Sequence, residues 1–231
     1  INIYKPNKTW FEHLLPAADQ QDGLEQRSVL AICQDHNGKI WVGTDGGGLS
    51  SLDSQTGQFS TTSLRNDPLT AGSLAGNVVK VIYEDSQQRM WVGIFGAGLE
   101  LFDAQAQTFQ PVLSGTASIW SIAESSNKDL WVATMGEGLS VIPASPKQLT
   151  TFRHNPADPN SLADDNVMNV FVDDRDRVWV GTAYNGLDLW QEAGERFVHH
   201  QYDPQDLFSI SDNEIRAIFQ DSRGTVWISL L

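Results

Sequence analysis

The segment AICQDHNGKIWVGTDGGGL, residues 31–49, carries the pattern that decides the fold. An apolar run leads to a polar turn with Asp and Gly, then to a short apolar stretch around Trp41, and then to a glycine-rich turn. Val, Ile and Trp favour strands, whereas Asp, Asn and Gly favour the tight turns that join them. The segment therefore predicts short antiparallel strands joined by turns, because no helical spacing of apolar residues is present.

The same pattern recurs along the whole chain. Seven residues after each of the first four central tryptophans stands a Gly followed by Leu, and nine residues before each of the five stands Ile or Val. Repeats of about 40–50 residues that each hold several strands are typical of β-propeller blades. We therefore predict an all-β fold, a β-propeller of four-stranded antiparallel blades. The central residues, spaced by 50, 40, 48 and 48 positions, are Trp41, Trp91, Trp131, Trp179 and Trp227.

Each repeat predicts four strands. The first is an apolar run such as VVKVIY at 78–83, the second is typified by IWVGT at 40–44, and the third by GLELFD at 98–103. The first strand is apolar on both faces, as expected of a strand that lies between two other sheets. The fourth strand is predicted to begin at an apolar anchor, namely Phe59, Phe109, Leu149 or Phe197.

The repeat divides the chain into four full blades and two half-blades. The first half-blade would supply third and fourth strands, and the last would supply first and second strands. Two interpretations stay open: the halves complete a fifth blade, or the chain is a fragment of a larger propeller. In both, residues 1–231 form a single propeller domain or part of one. The full blades are predicted at about 28–76, 77–117, 118–165 and 166–212, and the half-blades at 1–27 and 213–231.

The repeated polar residues have structural roles in this interpretation. The Asp of the first turn can accept backbone N–H bonds, and Gly38 can supply the positive φ of a tight hairpin. Ser125 replaces the Asp in the third repeat, and Asp174 is predicted to be the counterpart of Asp85 in the fourth. The Gly of each Gly-Leu pair lets the third strand approach its neighbour closely.

Charge and composition exclude several classes of protein. The chain has 15 Lys and Arg against 29 Asp and Glu, a formal net charge of −14, which argues against nucleic-acid and membrane-surface partners. One cysteine, Cys33, excludes an intramolecular disulfide and a Cys-based zinc site. No apolar run is long enough for a membrane helix, and the opening residues INIYKPNKTW contain no signal peptide. We expect no direct membrane insertion, no cofactor and no metal site.

In combination, these motifs resemble the two-component regulator propeller family. The family pattern stands at 31–49 and again as NVFVDDRDRVWVGTAYNGL at 169–187. The Asp-Pro, Ser-Leu and Asn positions that the family carries between repeats match 66–77, 155–166 and 203–213. Some repeats depart from the pattern: the third lacks the first Gly after its Trp, and the last lacks the Gly-Thr pair.

The resemblance implies a role in signalling. Such propellers usually form the extracytoplasmic, hence periplasmic, sensor domain of a bacterial membrane receptor. The cytoplasmic output, a histidine kinase or a diguanylate cyclase, would lie outside this chain. Oligosaccharides or their breakdown products are frequent ligands in the family, so a small-molecule or carbohydrate ligand is the expected partner.

One face of the propeller is the expected place for that ligand. The connectors between blades and the turns between second and third strands would share this face, and their sequences vary while the strands do not. Variable loops on a fixed scaffold are suited to binding. The candidate binding residues in these turns are Asp45, Phe95, Glu137, Tyr184 and Asn185.

A variable column of the first strands supplies the other candidates. Lys80 and Arg216 would suit an anionic group, Trp120 offers a ring face to a sugar, and Asn169 can both donate and accept hydrogen bonds. Leu30 is the member of this column in the first full repeat. The alternative is that these side chains are paired, solvated or packed between blades.

Two other functions stay open at this point. A propeller glycoside hydrolase or lyase would need paired carboxylates about 5–10 Å apart, and the central parts of the five predicted first strands contain no Asp or Glu. We therefore expect no enzyme and no catalytic residue in this chain. A protein-interaction platform is the other alternative, with a second copy of the receptor or an envelope protein as partner.

Overall fold

The computed structural model describes residues 2–4, 11–13, 24, 26–52, 63–145 and 148–231. The chain divides into two compact units, Ile1–Thr116 and Ala117–Leu231. Each unit is described by itself. In the described residues all regular structure is β-strand, and every strand pair is antiparallel, which confirms the predicted all-β class.

The first unit contains three sheets. Strands β1 and β2 are an antiparallel pair in which Tyr4 pairs with Phe11, as expected of the third and fourth strands of the first half-blade. Strands β3, β4 and β5 follow in order, and Leu64 forms a further bridge to Leu49. The four strands β6 to β9 form a complete sheet in chain order. The strands are β1 Asn2–Tyr4, β2 Phe11–His13, β3 Val29–Gln34, β4 Ile40–Thr44, β5 Leu49–Leu52, β6 Val79–Glu84, β7 Met90–Ile94, β8 Gly98–Asp103 and β9 Thr108–Leu113.

The second unit repeats this arrangement. Strands β10 to β13 and β14 to β17 form two four-stranded sheets in chain order, and β18 and β19 form a hairpin. The strands of each sheet lie within one of the repeats defined by the sequence. They are β10 Ser118–Glu124, β11 Leu130–Met135, β12 Gly138–Ile142, β13 Thr150–Phe152, β14 Val167–Val172, β15 Val178–Thr182, β16 Leu187–Gln191, β17 Arg196–His200, β18 Ile215–Gln220 and β19 Val226–Leu230.

Two predicted strand anchors need comment. Leu149 precedes β13 and is partly exposed, so the prediction that it anchors the fourth strand is wrong. Phe152 provides the apolar contact instead, because it pairs opposite Leu139 and packs against Trp131 and Phe197. The predicted anchor Phe59 lies outside the described residues.

One carboxylate organises the first turn in four of the five described repeats, and Ser125 takes its position in the third. Asp85 accepts hydrogen bonds from Gln87 N, Arg89 N and Trp91 Nε1 at 2.8–2.9 Å. In the fourth repeat these bonds converge on Asp173, six residues before Trp179, so the assignment of Asp174 as the counterpart was wrong. Asp174 instead bonds Gln220 of the next sheet. The carboxylate therefore ties the turn to the central Trp of its own sheet.

The glycine of each Gly-Leu pair stands where no side chain fits. Gly98 has φ +87°, and a Cβ there would lie 1.9 Å from Leu113 O on the fourth strand. Gly138 and Gly186 have the same conformation, and a Cβ would lie 2.2 and 2.4 Å from the facing carbonyl oxygens. These glycines permit the third and fourth strands to meet at their ends, as the sequence predicted.

Aromatic packing joins consecutive sheets within each unit. In the first unit the Trp41 ring of β4 meets the Phe102 ring of β8 edge-on at 5.0 Å. In the second, Trp131 of β11 lies 6.1 Å from Trp190 of β16. Consecutive first strands also contact each other, and Gly43 of β4 lets that second strand approach β6, because a Cβ there would lie 2.6 Å from a methyl group of Val79. The central Trp of these repeats therefore fills the space between sheets.

Candidate ligand-binding face

The connectors between sheets share one hydrogen-bonded design. In the three long connectors, 66–77, 154–165 and 202–213, the side-chain oxygen of an Asn or Asp accepts the backbone N–H of the residue 11 positions earlier, at 2.7–2.8 Å. The acceptors are Asn77, Asp165 and Asn213. Such a bond closes the connector into a compact loop whose ends are fixed.

A serine inside each connector closes a second, smaller ring. Ser73 Oγ accepts the N–H of Asp67 at 3.1 Å and donates to its carbonyl oxygen at 2.7 Å. Ser161 and Ser209 make the same pair of bonds with Asn155 and Asp203. This is the physical role of the Asp-Pro and Ser-Leu positions, since the Leu after Ser73 and the Leu after Ser161 are buried beneath the loop.

Each connector is also bonded to the turn of the preceding sheet. The N–H of Gly48, in the turn between β4 and β5, donates to Asn77 O at 2.9 Å. Gly138 donates in the same way to Asp165 O, and Gly186 to Asn213 O. Connectors and second-to-third-strand turns therefore lie together on one face of each unit, as predicted; this surface is called the connector face below.

Two buried carboxylates support the connectors from beneath. Glu100 on β8 accepts the N–H of Ala75 at 3.1 Å, and burial raises the pKa of Glu100 because this single bond offsets only part of the desolvation. Asp188 on β16 accepts the N–H of Ala163 at 2.8 Å. Sequence analysis missed both residues. The signal that could have found them is their shared position, directly after the Leu of Gly-Leu.

A histidine completes the support in the second unit. His199 Nδ1 lies 2.6 Å from Asp188 Oδ1, and His199 Nε2 lies 2.9 Å from Pro159 O in the connector. Burial lowers the pKa of His199, but its hydrogen bond to Asp188, the charge of that carboxylate and the Pro159 carbonyl together outweigh burial and raise it. The pair therefore links the connector to the sheet through an imidazole whose pKa is raised from its ordinary value.

The predicted turn residues lie on the connector face. Asp45 is exposed and the ring of Phe95 is 54% exposed, each at the tip of a turn in the first unit. In the second unit Tyr184 is 67% exposed, and the neighbouring Asn185 donates to Asp164 Oδ2 at 3.0 Å. Glu137 forms an ion pair with Arg153. Phe95 and Tyr184 are thus available to a ligand, whereas Glu137 and Asn185 already have intramolecular partners.

The predicted first-strand column differs from the sequence assignment at one member. A β-bulge interrupts each first strand, and the bulged residues include Lys80, Trp120 and Arg216. In β14 the bulge falls at Met168, which also lies 11 residues before its Trp as the others do, so Asn169 was assigned to this column in error. Bulges re-aim side chains and are frequent beside binding sites.

Two of these candidate residues, Asn169 and Arg216, already have partners within the second unit. Asn169 Nδ2 donates to Arg216 O at 2.6 Å, and the Arg216 guanidinium pairs with Glu214. Lys80 and Trp120 are half-buried. Among these candidates the structure therefore brings Asn169 and Arg216 into direct contact, and their role in ligand binding stays a prediction.

The connector face of the second unit carries a cavity. It has a volume of about 550 Å³ and lies between the end of β17 and the connector that follows. Its lining includes His200, Tyr202, Asp206 and Phe208. Across the described ranges, no three His, Cys, Asp or Glu side chains are placed to hold a metal ion. The described part of the chain also contains no helix able to span a membrane.

Comparison with known proteins agrees with the repeat. The sequence pattern of the two-component regulator propeller matches residues 23–46, 73–96 and 209–230. The chain carries two-component regulator propeller repeats. The resemblance predicted from the sequence is thereby confirmed, and the hydrogen bonds of Asp173 extend the same turn design to a segment outside the three matches. A search of curated proteins gave no match.

Solved structures share the fold of these repeats. One is described as the extracellular domain of the hybrid two-component system BT4673 of B. thetaiotaomicron, with TM-score 0.66 and 19% identity over 88% of this chain. Virginiamycin B lyase from Staphylococcus aureus has TM-score 0.63 and 13% identity over 93% of this chain, and the matched region is 65% of the lyase. The β-propeller domain of Myceliophteria thermophila Cps50 has TM-score 0.62 and 10% identity, covering 89% of this chain and 63% of that one. These similarities show a β-propeller fold, and this chain spans 28% of the BT4673 domain.

Proposed function

We propose that this chain is the ligand-sensing propeller of a bacterial receptor of the two-component type, on the periplasmic side of the membrane. It would bind a small-molecule ligand, with oligosaccharides as the first class to test. It would pass the signal to an output domain outside this chain by favouring one arrangement of the receptor over another. The propeller repeats and the likeness to an extracellular two-component domain support this proposal.

The connector face is the observation that carries the proposal. Its framework is the same in the three long connectors, because Asn77, Asp165 and Asn213 fix these loops to the preceding turns. The exposed side chains mounted on it differ, as with Phe95 and Tyr184. A rigid scaffold with variable exposed aromatic rings is suited to recognise sugar rings by stacking.

The test is a thermal-shift screen with a panel of neutral and anionic oligosaccharides, followed by calorimetry on each hit. We expect a saturable ligand whose affinity falls about tenfold or more in Tyr184→Ala or Phe95→Ala, since loss of one stacked ring removes roughly 1–1.5 kcal/mol. Phe219→Ala is the matched control, because Phe219 is an equally exposed aromatic residue on strand β18 and outside the connector face.

Two results would contradict the proposal. One is the absence of any saturable oligosaccharide or other small-molecule ligand in the screen. The other is a ligand whose affinity is unchanged in Tyr184→Ala, Phe95→Ala, Lys80→Ala and Arg216→Ala, because binding would then lie elsewhere on the chain.

A protein-interaction platform is the second candidate, and exposed apolar side chains favour it. Leu207 and Phe208, at the tip of one connector, are 95% and 98% exposed, and Leu69 of another connector is 96% exposed. Exposed apolar residues beside polar rims are frequent in protein interfaces. A stable complex with a purified second copy or envelope protein that Phe208→Ser abolishes, with no small-molecule hit, would favour the platform over the sensor.

A further inference from the structure

Five described repeats have a central Trp in their second strand, and they differ at the position two residues before it. In three repeats, the residue two positions before the central Trp places a cation over its ring. Lys39 Nζ lies 4.4 Å from the Trp41 ring centroid, and the guanidinium carbons of Arg89 and Arg177 lie 5.1 Å from theirs. Both arginines also donate through Nε to the Asp of the same turn at 2.6 Å. The repeat thus stacks a paired cation on an indole ring.

The third repeat lacks both parts of this arrangement. Ser125 stands in place of the Asp, and Asp129 stands in place of the cation. Asp129 accepts bonds from Asn127 Nδ2 at 2.9 Å and from Ala144 N at 2.8 Å, so it is held at the turn. Asp129 therefore stands two residues before Trp131, where three other repeats supply a positive charge and the last repeat has Thr225.

A cleft opens at this position, between the sheets β10–β13 and β14–β17. Its volume is about 370 Å³, and it lies at the end of the strands opposite to the connector face. Three aromatic rings line it, those of Trp131, Phe152 and Trp190, with Phe152 and Trp190 only 4.6 Å apart. The charged side chains that line it are Asp129, Asp176, Glu192, Glu195 and Arg177.

The corresponding cleft of the first unit serves as an internal comparison. It has a volume of about 330 Å³ and is lined by Phe102 and Arg89, but Trp41 is not part of its lining. Lys39 lies over that indole ring. In the third repeat, which has no cation of its own, Trp131 lines the cleft with 7% of its surface exposed, beside the half-buried Trp190.

We propose that this cleft binds an organic cation, a guanidinium or alkylammonium group, that stacks on Trp131 and Trp190. Four carboxylates against one guanidinium give the lining a negative balance, and Arg177 is already paired with Asp173. Aromatic faces with carboxylates around them are suited to cations rather than to anions. The ligand would occupy the place that Lys39, Arg89 and Arg177 fill in three other repeats.

The test uses a matched pair of ligands on the intact chain. N-acetylargininamide carries the guanidinium, and N-acetylcitrullinamide has the same shape without the charge. Binding is followed by calorimetry and by the NMR signal of the Trp131 indole N–H. We expect saturable binding of the charged ligand, at least about tenfold tighter than that of the neutral one, and weaker binding at high salt.

Two variants test the location. Asp129→Lys restores the cation of the repeat from within the chain and should weaken binding at least about tenfold. Glu192→Gln combined with Glu195→Gln changes only exposed turn residues and should weaken binding several-fold, so the test does not depend on one variant folding. Asp158→Lys is the matched control, because it makes the same charge change on an exposed connector residue.

Any one of three results would overturn the proposal. Equal binding of the charged and neutral ligands, no shift of the Trp131 signal, or affinity unchanged in both cleft variants would each do so. Comparison with methylguanidinium separates the two sources of the cation: equal affinity favours a free small molecule, and tighter N-acetylargininamide binding favours an Arg side chain of a polypeptide. The connector-face experiments use other ligands and variants, so either proposal can fail without the other.

Discussion

At the scale of single residues, equivalent turn carboxylates contribute differently to stability in different repeats. Asp85 and Asp221 accept the same backbone and indole hydrogen bonds, which lower the pKa of each carboxyl below its ordinary value; for Asp85 they outweigh the opposing effect of burial. Asp85 is buried with Trp91, whereas Trp227 beside Asp221 is 55% exposed. An unsatisfied polar group costs much more when it is buried, so burial sets the energetic role.

Replacement of the buried carboxylate should therefore be the more damaging of the two. Asp85→Ala leaves the buried Trp91 N–H without its acceptor and Arg89 without its partner, and we expect a loss of about 3 kcal/mol in the free energy of unfolding. Asp221→Ala should cost clearly less, because water replaces the lost bonds. Urea denaturation followed by Trp fluorescence measures both, and equal losses would refute the burial argument.

At the scale of elements, strand ends meet only because particular glycines stand there. Gly98 and Gly96 share one turn and both have positive φ, of +87° and +71°. A Cβ at Gly98 would lie 1.9 Å from Leu113 O, whereas a Cβ at Gly96 meets nothing within 4 Å. The two residues separate the cost of backbone conformation from the cost of a steric clash.

Alanine substitution at the two glycines should show this difference. Gly96→Ala carries only the penalty of a left-handed conformation, about 1 kcal/mol. Gly98→Ala adds a clash with a backbone carbonyl that cannot move aside, so we expect a loss of about 3 kcal/mol or more. Thermal and urea denaturation give the comparison, and a loss at Gly98 no larger than at Gly96 would contradict the close approach of β8 and β9.

The connector of residues 153–166 should respond to pH through His199. The pKa of His199 is raised in the folded protein, so its contribution to stability is complete below the ordinary His pKa and is lost as pH rises through the raised value. The free energy of unfolding of the wild type should therefore fall by more than that of His199→Gln between about pH 6 and pH 8.5. The protection of the Ala163 N–H against hydrogen exchange, corrected for the intrinsic pH dependence of exchange, should fall over the same range in the wild type but not in His199→Gln, and identical pH profiles would contradict the assignment.

At the scale of the whole molecule, the net charge of −14 acts on all elements together. Exposed carboxylates of one sign repel each other in the compact state, and salt screens this repulsion. We expect Tm to rise as NaCl is raised from about 10 mM to 150 mM, over which the Debye length falls from about 30 Å to 8 Å. A variant in which the exposed Asp158, Asp206 and Glu195 are changed to Asn, Asn and Gln should show a smaller rise in Tm with salt. An equal or larger rise in Tm would show that screening of carboxylate repulsion is not the cause.

The sequence by itself determined the strands, the turns and the family of the repeat. These features depend on bonds between residues a few positions apart, such as Asp85 to Trp91 or Ser73 to Asp67, so the spacing in the chain already specifies them. Asp174 and Asn169 each lie one residue after the position that the structure identifies, Asp173 and Met168, because the indole hydrogen bond and the bulge define these positions.

Only the tertiary structure decided what the chain presents to a ligand. Burial turned Glu100 and Asp188 from ordinary acidic residues into supports for the connectors, and the packing of two sheets opened the cleft beside Trp131. Both results depend on which side chains from distant parts of the chain meet, because dielectric environment and access to a ring are properties of the packed assembly rather than of local sequence.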